Sequence, residues 1–298
     1  MSQFTAINLA QVAPPDVIEP LDFEQILAAM LADLLDRAPE LDAQIESEPF
    51  VKLLEVCAFR ELQLRARIND AARAVMLPYS TGTDLDNLGA LFGVERLLLS
   101  PAVPTAVPPI PAVYEGDSDF RYRIQLSLEG LSTAGPEGAY IFHALSADGQ
   151  VLDASATSPA PGEVLITVLS REGSGTASSA LRATVEAALT DEAVRPLTDY
   201  VQVQSATIVP YQVAATLYFY AGPDRTVVLA NAQAAIEAYT AAQHRLGRDV
   251  TLSGIYAALH QSGVQRVELA SPAANLIINR QSAAYCTAIN LTDGGFDE

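Results

Sequence analysis

From Phe50 to Val75 the residues Phe50, Leu54, Cys57, Glu61, Leu64, Ile68, Ala71 and Val75 follow one another at alternating steps of four and three. That spacing is a 3.5-residue period held for roughly four heptads, the seam of a coiled coil, broken only by the acid at Glu61. Ser47-Glu48-Pro49 is a start signal, with an N-cap candidate and proline in the first turn. A helix over 48–76 is about 43 Å long at about 1.5 Å per residue. Leu53, Phe59 and Leu62 lie off the seam, so a second face is partly apolar. Two readings follow. Either the helix is buried inside its own helical domain, or it joins an intermolecular bundle, and the excess of apolar surface favours the bundle.

The rest of the chain divides around that helix. Residues 1–20, with Pro14, Pro15 and Pro20, read as an extended N-terminal arm. Asp22 caps a helix with Phe23, Ile26, Leu27, Met30, Leu31, Leu34 and Leu35 on one face, ended by Pro39. A shorter helix uses Leu85, Leu88, Leu91 and Phe92, and with the two longer ones makes a helical, bundle-forming domain over 21–99. Pro101, Pro104, Pro108, Pro109 and Pro111 predict an extended, semi-rigid spacer at 100–113. Residues 114–206 mix helices with strands at Val164–Leu169 and Val201–Val203. The inward positions of its opening helix are Phe120, Ile124 and Leu128. Residues 207–298 begin with alternation through Tyr211, Val213, Ala215, Leu217 and Phe219, then two helices, a strand at 264–269 and a strand-like Leu276-Ile277-Ile278. The fold class is therefore α+β and multidomain, a helical N-terminal domain followed by two mixed α/β domains.

Charge narrows the partners. With 17 Lys+Arg against 36 Asp+Glu the net charge is −19, which repels phosphate backbones and anionic lipid, so nucleic acid is not an expected partner. No stretch reaches the length of a membrane span, so no membrane anchor is expected, and Met1-Ser2-Gln3-Phe4 opens no basic or apolar signal pattern, so export by a signal peptide is not expected either. Cys57 and Cys286 are too few for a disulfide framework, and Cys57 reads as a small core residue in a chain made in a reducing cytoplasm.

Catalytic constellations are missing from the pattern. His143, His244 and His260 fall in separate elements without ligand spacing, so no metal is expected. Gly173-Ser174-Gly175 reads as a turn after the 164–169 strand rather than a phosphate loop. The close carboxylates Asp84/Asp86 and Asp117/Asp119 precede helices, where acids cap and complement the dipole. Arg60, Arg65, Arg67 and Arg73 are expected to pair with carboxylates of a neighbour. No catalytic residue and no cofactor is assigned.

The residues themselves carry a likeness. Glu46-Ser47-Glu48-Pro49-Phe50-Val51-Lys52-Leu53-Leu54, Phe59-Arg60-Glu61, Arg65 through Ala74 and Asp84-Leu85-Asp86-Asn87-Leu88 resemble the baseplate J-like proteins of contractile phage tails. The likeness continues at Phe120 through Gln125, Ser132 through Gly135, Pro159 through Gly162, Val194 through Asp199 and Leu246 through Val250. This resemblance implies a structural wedge protein of the tail baseplate, present in the virion and assembled in the host bacterial cytoplasm. It implies pairing of two copies of the chain with one smaller partner of the tail protein I type, through a helical bundle. It further implies a sheath-initiator-type partner docked on that bundle, and contacts between neighbouring wedges through the last domain, closing a ring around the central hub. The eight seam residues Phe50, Leu54, Cys57, Glu61, Leu64, Ile68, Ala71 and Val75 are the candidate partner interface. The rival reading is a phage hydrolase acting on cell wall or polysaccharide.

Overall fold

Asp22, the predicted cap, accepts a hydrogen bond from Gln25 N at 3.1 Å and opens α1 (Phe23–Arg37), which stops short of Pro39. The computed structural model describes residues 9, 12, 13, 15–41, 48–132, 134–192, 194–222 and 224–297. Most of the predicted arm and the expected cap Ser47 lie outside them. α2 (Pro49–Ala74) starts on its proline with Glu48 in the N-cap position, and α3 (Gly82–Leu91) follows. Then come β1 (Leu98–Ser100), β2 (Val113–Tyr114), α4 (Asp117–Gly130), α5 (Glu137–Ala147), β3 (Val151–Thr157) and β4 (Glu163–Ser170). The chain continues through α6 (Ser179–Thr190), β5 (Tyr200–Ser205), β6 (Thr207–Phe219), α7 (Arg225–Gln243), α8 (Leu252–Leu259), β7 (Val264–Ser271) and β8 (Ser282–Phe296). Helices and sheets are mixed, as the α+β expectation requires.

These elements form two compact units. One contains α1 to α3, ends at Arg96 and also takes Gly116–Arg121; the other comprises Leu97–Glu115 and the chain from Tyr122 onward. In the first unit Leu85 and Phe120 are fully buried, and the Arg96 guanidinium stacks on the Phe120 ring at 4.7 Å. Asp84 stands in the first turn of α3 and Asp117 and Asp119 in that of α4, where acids complement the dipole as expected. Asp117 also reaches another helix, accepting from Gly82 N at 3.1 Å at the start of α3 and from Arg96 at 2.8 Å. Asp86 binds the same Arg96 at 2.8 Å. Partial burial pushes the Asp117 carboxyl upward, but the Gly82 N–H and Arg96 outweigh it and hold the group below the usual carboxylate range.

In the second unit the proline-rich segment corrects an expectation. It is not an extended spacer: β1 and β2 pair antiparallel, and beyond them Val103 and Ile110 bridge, each N–H meeting the other's carbonyl at 2.8 and 3.2 Å. Prolines fix φ and lack an N–H, yet the bridge needs donors only at Val103 and Ile110, which are not prolines. At the base of this hairpin Glu115 and Arg123 form a buried ion pair at 2.7 Å, with side chains only 2% and 5% exposed. Glu115 also accepts from Leu97 N, and Arg123 donates to Ser146 Oγ.

Behind the hairpin, β3, β4 and β5 make a sheet in which β3 and β4 are antiparallel and β4 and β5 parallel. α5 and α6 cover it, burying Tyr140, Ile141, Leu145, Leu181, Val185 and Leu189 against Ile166 and Val168. The inward row of α4 runs through Ile124 and Ser127. Leu128, expected inside, is therefore exposed, because the row steps by three rather than four. Only Ala206 separates β5 from β6, the centre of a second sheet of order β7-β6-β8, antiparallel to β7 and parallel to β8. The predicted alternation holds, with Tyr211, Val213, Ala215, Leu217 and Phe219 facing α7 and α8. Leu276-Ile277-Ile278 is not a strand, since only Leu276 bridges, to Val250. The edge strand is instead β8, whose start packs the small side chains of Ala283 and Ala284. The two sheets are joined where Leu246 N donates to Asp153 at 2.9 Å and Ser155 Oγ donates to Arg280 O at 2.6 Å.

Candidate assembly surface

α2 has one row covered by its own chain and another left open. Val51, Ala58 and Asn69 are buried, on a row at steps of seven and four completed by Leu62, and α1 packs against α2. The second half is closed by the segment before α1. Asn69 Oδ1 accepts from Glu19 N at 3.1 Å, while its Nδ2 donates to Glu19 O at 2.8 Å. The Glu19 carboxylate meets Arg65 at 3.3 Å, and Tyr79 donates to Val12 O at 2.6 Å. One buried amide thus satisfies both polar groups of one extended residue. Replacing it by alanine leaves both without that partner, at a cost of about 1–3 kcal/mol. Asn69→Ala is expected to speed proteolytic cleavage around residues 15–20 with little change in overall helicity. Limited proteolysis followed by mass spectrometry checks this, and an unchanged cleavage rate would refute the clamp.

The heptad row lies roughly a third of a turn away from the covered row at about 100° per residue. Cys57, Leu64, Ile68, Ala71 and Val75 are exposed, with Leu64, Ile68 and Val75 at 62%, 60% and 70%. Phe50, Leu54 and Glu61 are half-buried at its edge. The structure therefore brings seven of the eight candidate residues to one face of α2, with Val75 at its C-cap. Cys57, expected as a small core residue, is corrected to a surface one, since α1 occupies the neighbouring row.

Within the single chain, Arg65 binds Glu61 at 2.5 and 3.0 Å, Arg73 faces Asp70 at 3.7 Å and Arg60 donates to Gln63 at 3.3 Å. Leu53 and Phe59, expected on a second apolar face, are exposed, and so is Val56, which the spacing does not single out. Val56 and Phe59 line a shallow groove with Phe23, Glu55, Arg60 and Gln63 on the other side of α1. Their signal was present in the off-seam apolar residues, but periodicity alone does not say which face a neighbouring helix covers.

Other polar groups have structural partners. His143 Nε2 lies 3.1 Å from Gly130 O, and burial holds its ring below the usual imidazole range despite that bond. His244 Nδ1 meets Ala284 O at 2.7 Å. Among the described residues no group of His, Cys, Asp or Glu is gathered to hold a metal ion, and no helix is long and apolar enough to cross a membrane.

The sequence matches the Baseplate J-like N-terminal domain over residues 46–103, the Baseplate J-like central domain over 132–205 and the Baseplate J-like protein C-terminal domain over 211–292. It is 53% identical to baseplate protein J of Escherichia phage P2 over 299 aligned positions, covering 98% of this chain and 99% of that protein. The first match contains the whole of α2 with its open row, and the third contains α7, α8 and β7 together with β6 from Tyr211 onward. With all three segments matched and a relative similar from end to end, the chain belongs to the baseplate J-like family.

Proposed function

We propose that this protein is a wedge subunit of a contractile phage tail or tail-like particle, held to its partners by the open row of α2. The coarser statement needs no proposal: the chain is a structural component of a phage tail baseplate, located in the virion, and not an enzyme. The hydrolase reading is thereby set aside, because the family is one of structural baseplate proteins.

The observation that carries the finer reading is the exposed run of Cys57, Leu64, Ile68, Ala71 and Val75 on a helix whose other apolar row is already occupied. Apolar surface of this extent on one helix is stabilised by removing it from water, at about 25 cal/mol per Å² buried. In this reading the helical domain over 21–99 carries the bundle contact, with residues 15–20 strapped along it. Two copies of the chain and a tail protein I-type subunit form the bundle, a sheath-initiator-type protein docks on it, and 207–298 contacts the neighbouring wedge. Co-expression of the full-length chain with the adjacent tail genes, followed by native mass spectrometry, is expected to yield a complex holding two copies of this chain. Recovery of the chain only as a monomer would overturn the reading.

A further inference from the structure

Residues 97–114 carry no charge in a chain whose net charge is −19. Leu98, Val103, Val107, Ile110, Val113 and Tyr114 are all exposed there, Val107 at 99%. β6 is equally free of charge, but its alternate apolar side chains lie in the core of the second sheet. The hairpin has no such core beneath its tip. We propose that this tip is a plug, seated in an uncharged, aromatic-lined groove of a different baseplate protein. The proposal goes beyond the reading of α2, since neither the hairpin nor its partner enters that contact.

Hydrogen bonding says what kind of surface can cover the tip. Pro101, Pro104, Pro108, Pro109 and Pro111 have no N–H to leave unpaired. Val103 N and Ile110 N are paired across the hairpin at 2.8 and 3.2 Å, and Ala106 N donates to Val103 O at 3.2 Å. Taking the tip out of water therefore strands few donors, while its apolar side chains gain about 25 cal/mol per Å² buried. The same prolines withhold the donors that an added strand needs, which excludes edge-to-edge pairing with a second copy or with an extended peptide. Side-chain contact in a groove remains. Proline-rich segments are recognised by packing on aromatic faces, and a groove charge facing this tip would be buried without a partner. A bilayer fits less well, because the hairpin has no Lys or Arg and the acidic chain repels anionic lipid.

The base of the hairpin is fixed before any partner arrives. A Cβ on Gly149 would stand 2.5 Å from Leu98 O, so β1 lies directly on the backbone of a residue that only glycine can supply. Gln150 Nε2 donates to Leu99 O at 2.7 Å, and the buried Glu115–Arg123 pair closes the other side. A plug already held in shape loses little freedom on docking.

The test places the photo-crosslinker p-benzoylphenylalanine at position 107 of the full-length chain, co-expressed with the adjacent tail genes. The assembled complex is purified, irradiated and analysed by peptide mass. The expected link is to one other tail protein, at a segment with aromatic residues and no charged ones. Val107→Asp is expected to weaken binding of that protein by about tenfold or more, because the new carboxylate loses its water inside the groove. Val107→Leu is expected to leave binding within about twofold, and both variants to melt as the unsubstituted protein does, the side chain being fully exposed. A link to a second copy, a link to a charged segment, or no link in a complex that assembles overturns the plug. So does flotation of the purified chain with phosphatidylethanolamine–phosphatidylglycerol vesicles that Val107→Asp abolishes. Hairpin and α2 are substituted separately, so failure here leaves the reading of α2 standing.

Discussion

Full-length protein carrying both Leu64→Asp and Ile68→Asp is expected to fold normally and to lose assembly. Both side chains are mostly exposed in the single chain, at 62% and 60%, so neither carboxylate is buried by folding. Surface changes of that kind shift stability by about 0.5 kcal/mol or less. Association changes the account, because it removes the row from water. Each ionised carboxylate then loses its hydration without a partner in the apolar seam, a cost of several kcal/mol. Two such sites lower the association constant by roughly a thousandfold or more, since about 1.4 kcal/mol is a factor of ten. The paired measurements are a thermal melt followed by circular dichroism, expected to match the unsubstituted protein, and co-purification with the adjacent tail proteins, expected to fail. Normal co-purification would mean that some other face makes the contact, with Val56 and Phe59 beside Phe23 as the next surface to substitute.

The largest effect on stability is expected inside the second unit, at Arg123. Its guanidinium binds Glu115 at 2.7 Å where both side chains are nearly inaccessible, and Glu115 also receives the Leu97 N–H at 3.0 Å. Arg123→Ala leaves a buried carboxylate opposite a vacancy and is expected to cost about 3–5 kcal/mol, the range for breaking one side of a buried pair. The double substitution Arg123→Met with Glu115→Leu removes both charges and is expected to recover most of that loss. Urea denaturation of the three proteins gives the comparison. A single alanine variant as stable as the unsubstituted protein would show that the pair contributes little to holding the hairpin base. The prediction concerns folding only, since neither residue lies on α2.

Much of the architecture was legible because it depends on near neighbours in the chain. The cap at Asp22, the start of α2 at Pro49 and the alternation of β6 each follow from spacings of two to four residues, and all three stand in the structure. The errors share a cause. The prolines of 100–113 predict a spacer, but Val103 and Ile110 find each other across a turn. β8 was missed because a strand of fifteen residues with small and polar positions has no alternation to read, and its register is imposed by pairing with β6. Asp117 stands in the first turn of its own helix, as its position predicts, but its hydrogen bond to the start of α3 comes from thirty-five residues away and leaves no local signal.

What the sequence determined alone was the 3.5-residue row on α2, the α+β alternation of elements and the family they resemble. What only the tertiary structure decided was which side of α2 remains open. A helix with two apolar rows can bury either one, and the choice was made by contacts distant in sequence. Asn69 holds the backbone of Glu19, fifty residues earlier, and α1 follows that clamp onto the row of Val51 and Ala58. Period records that a face is apolar; only packing determines whether the chain's own residues have already covered it.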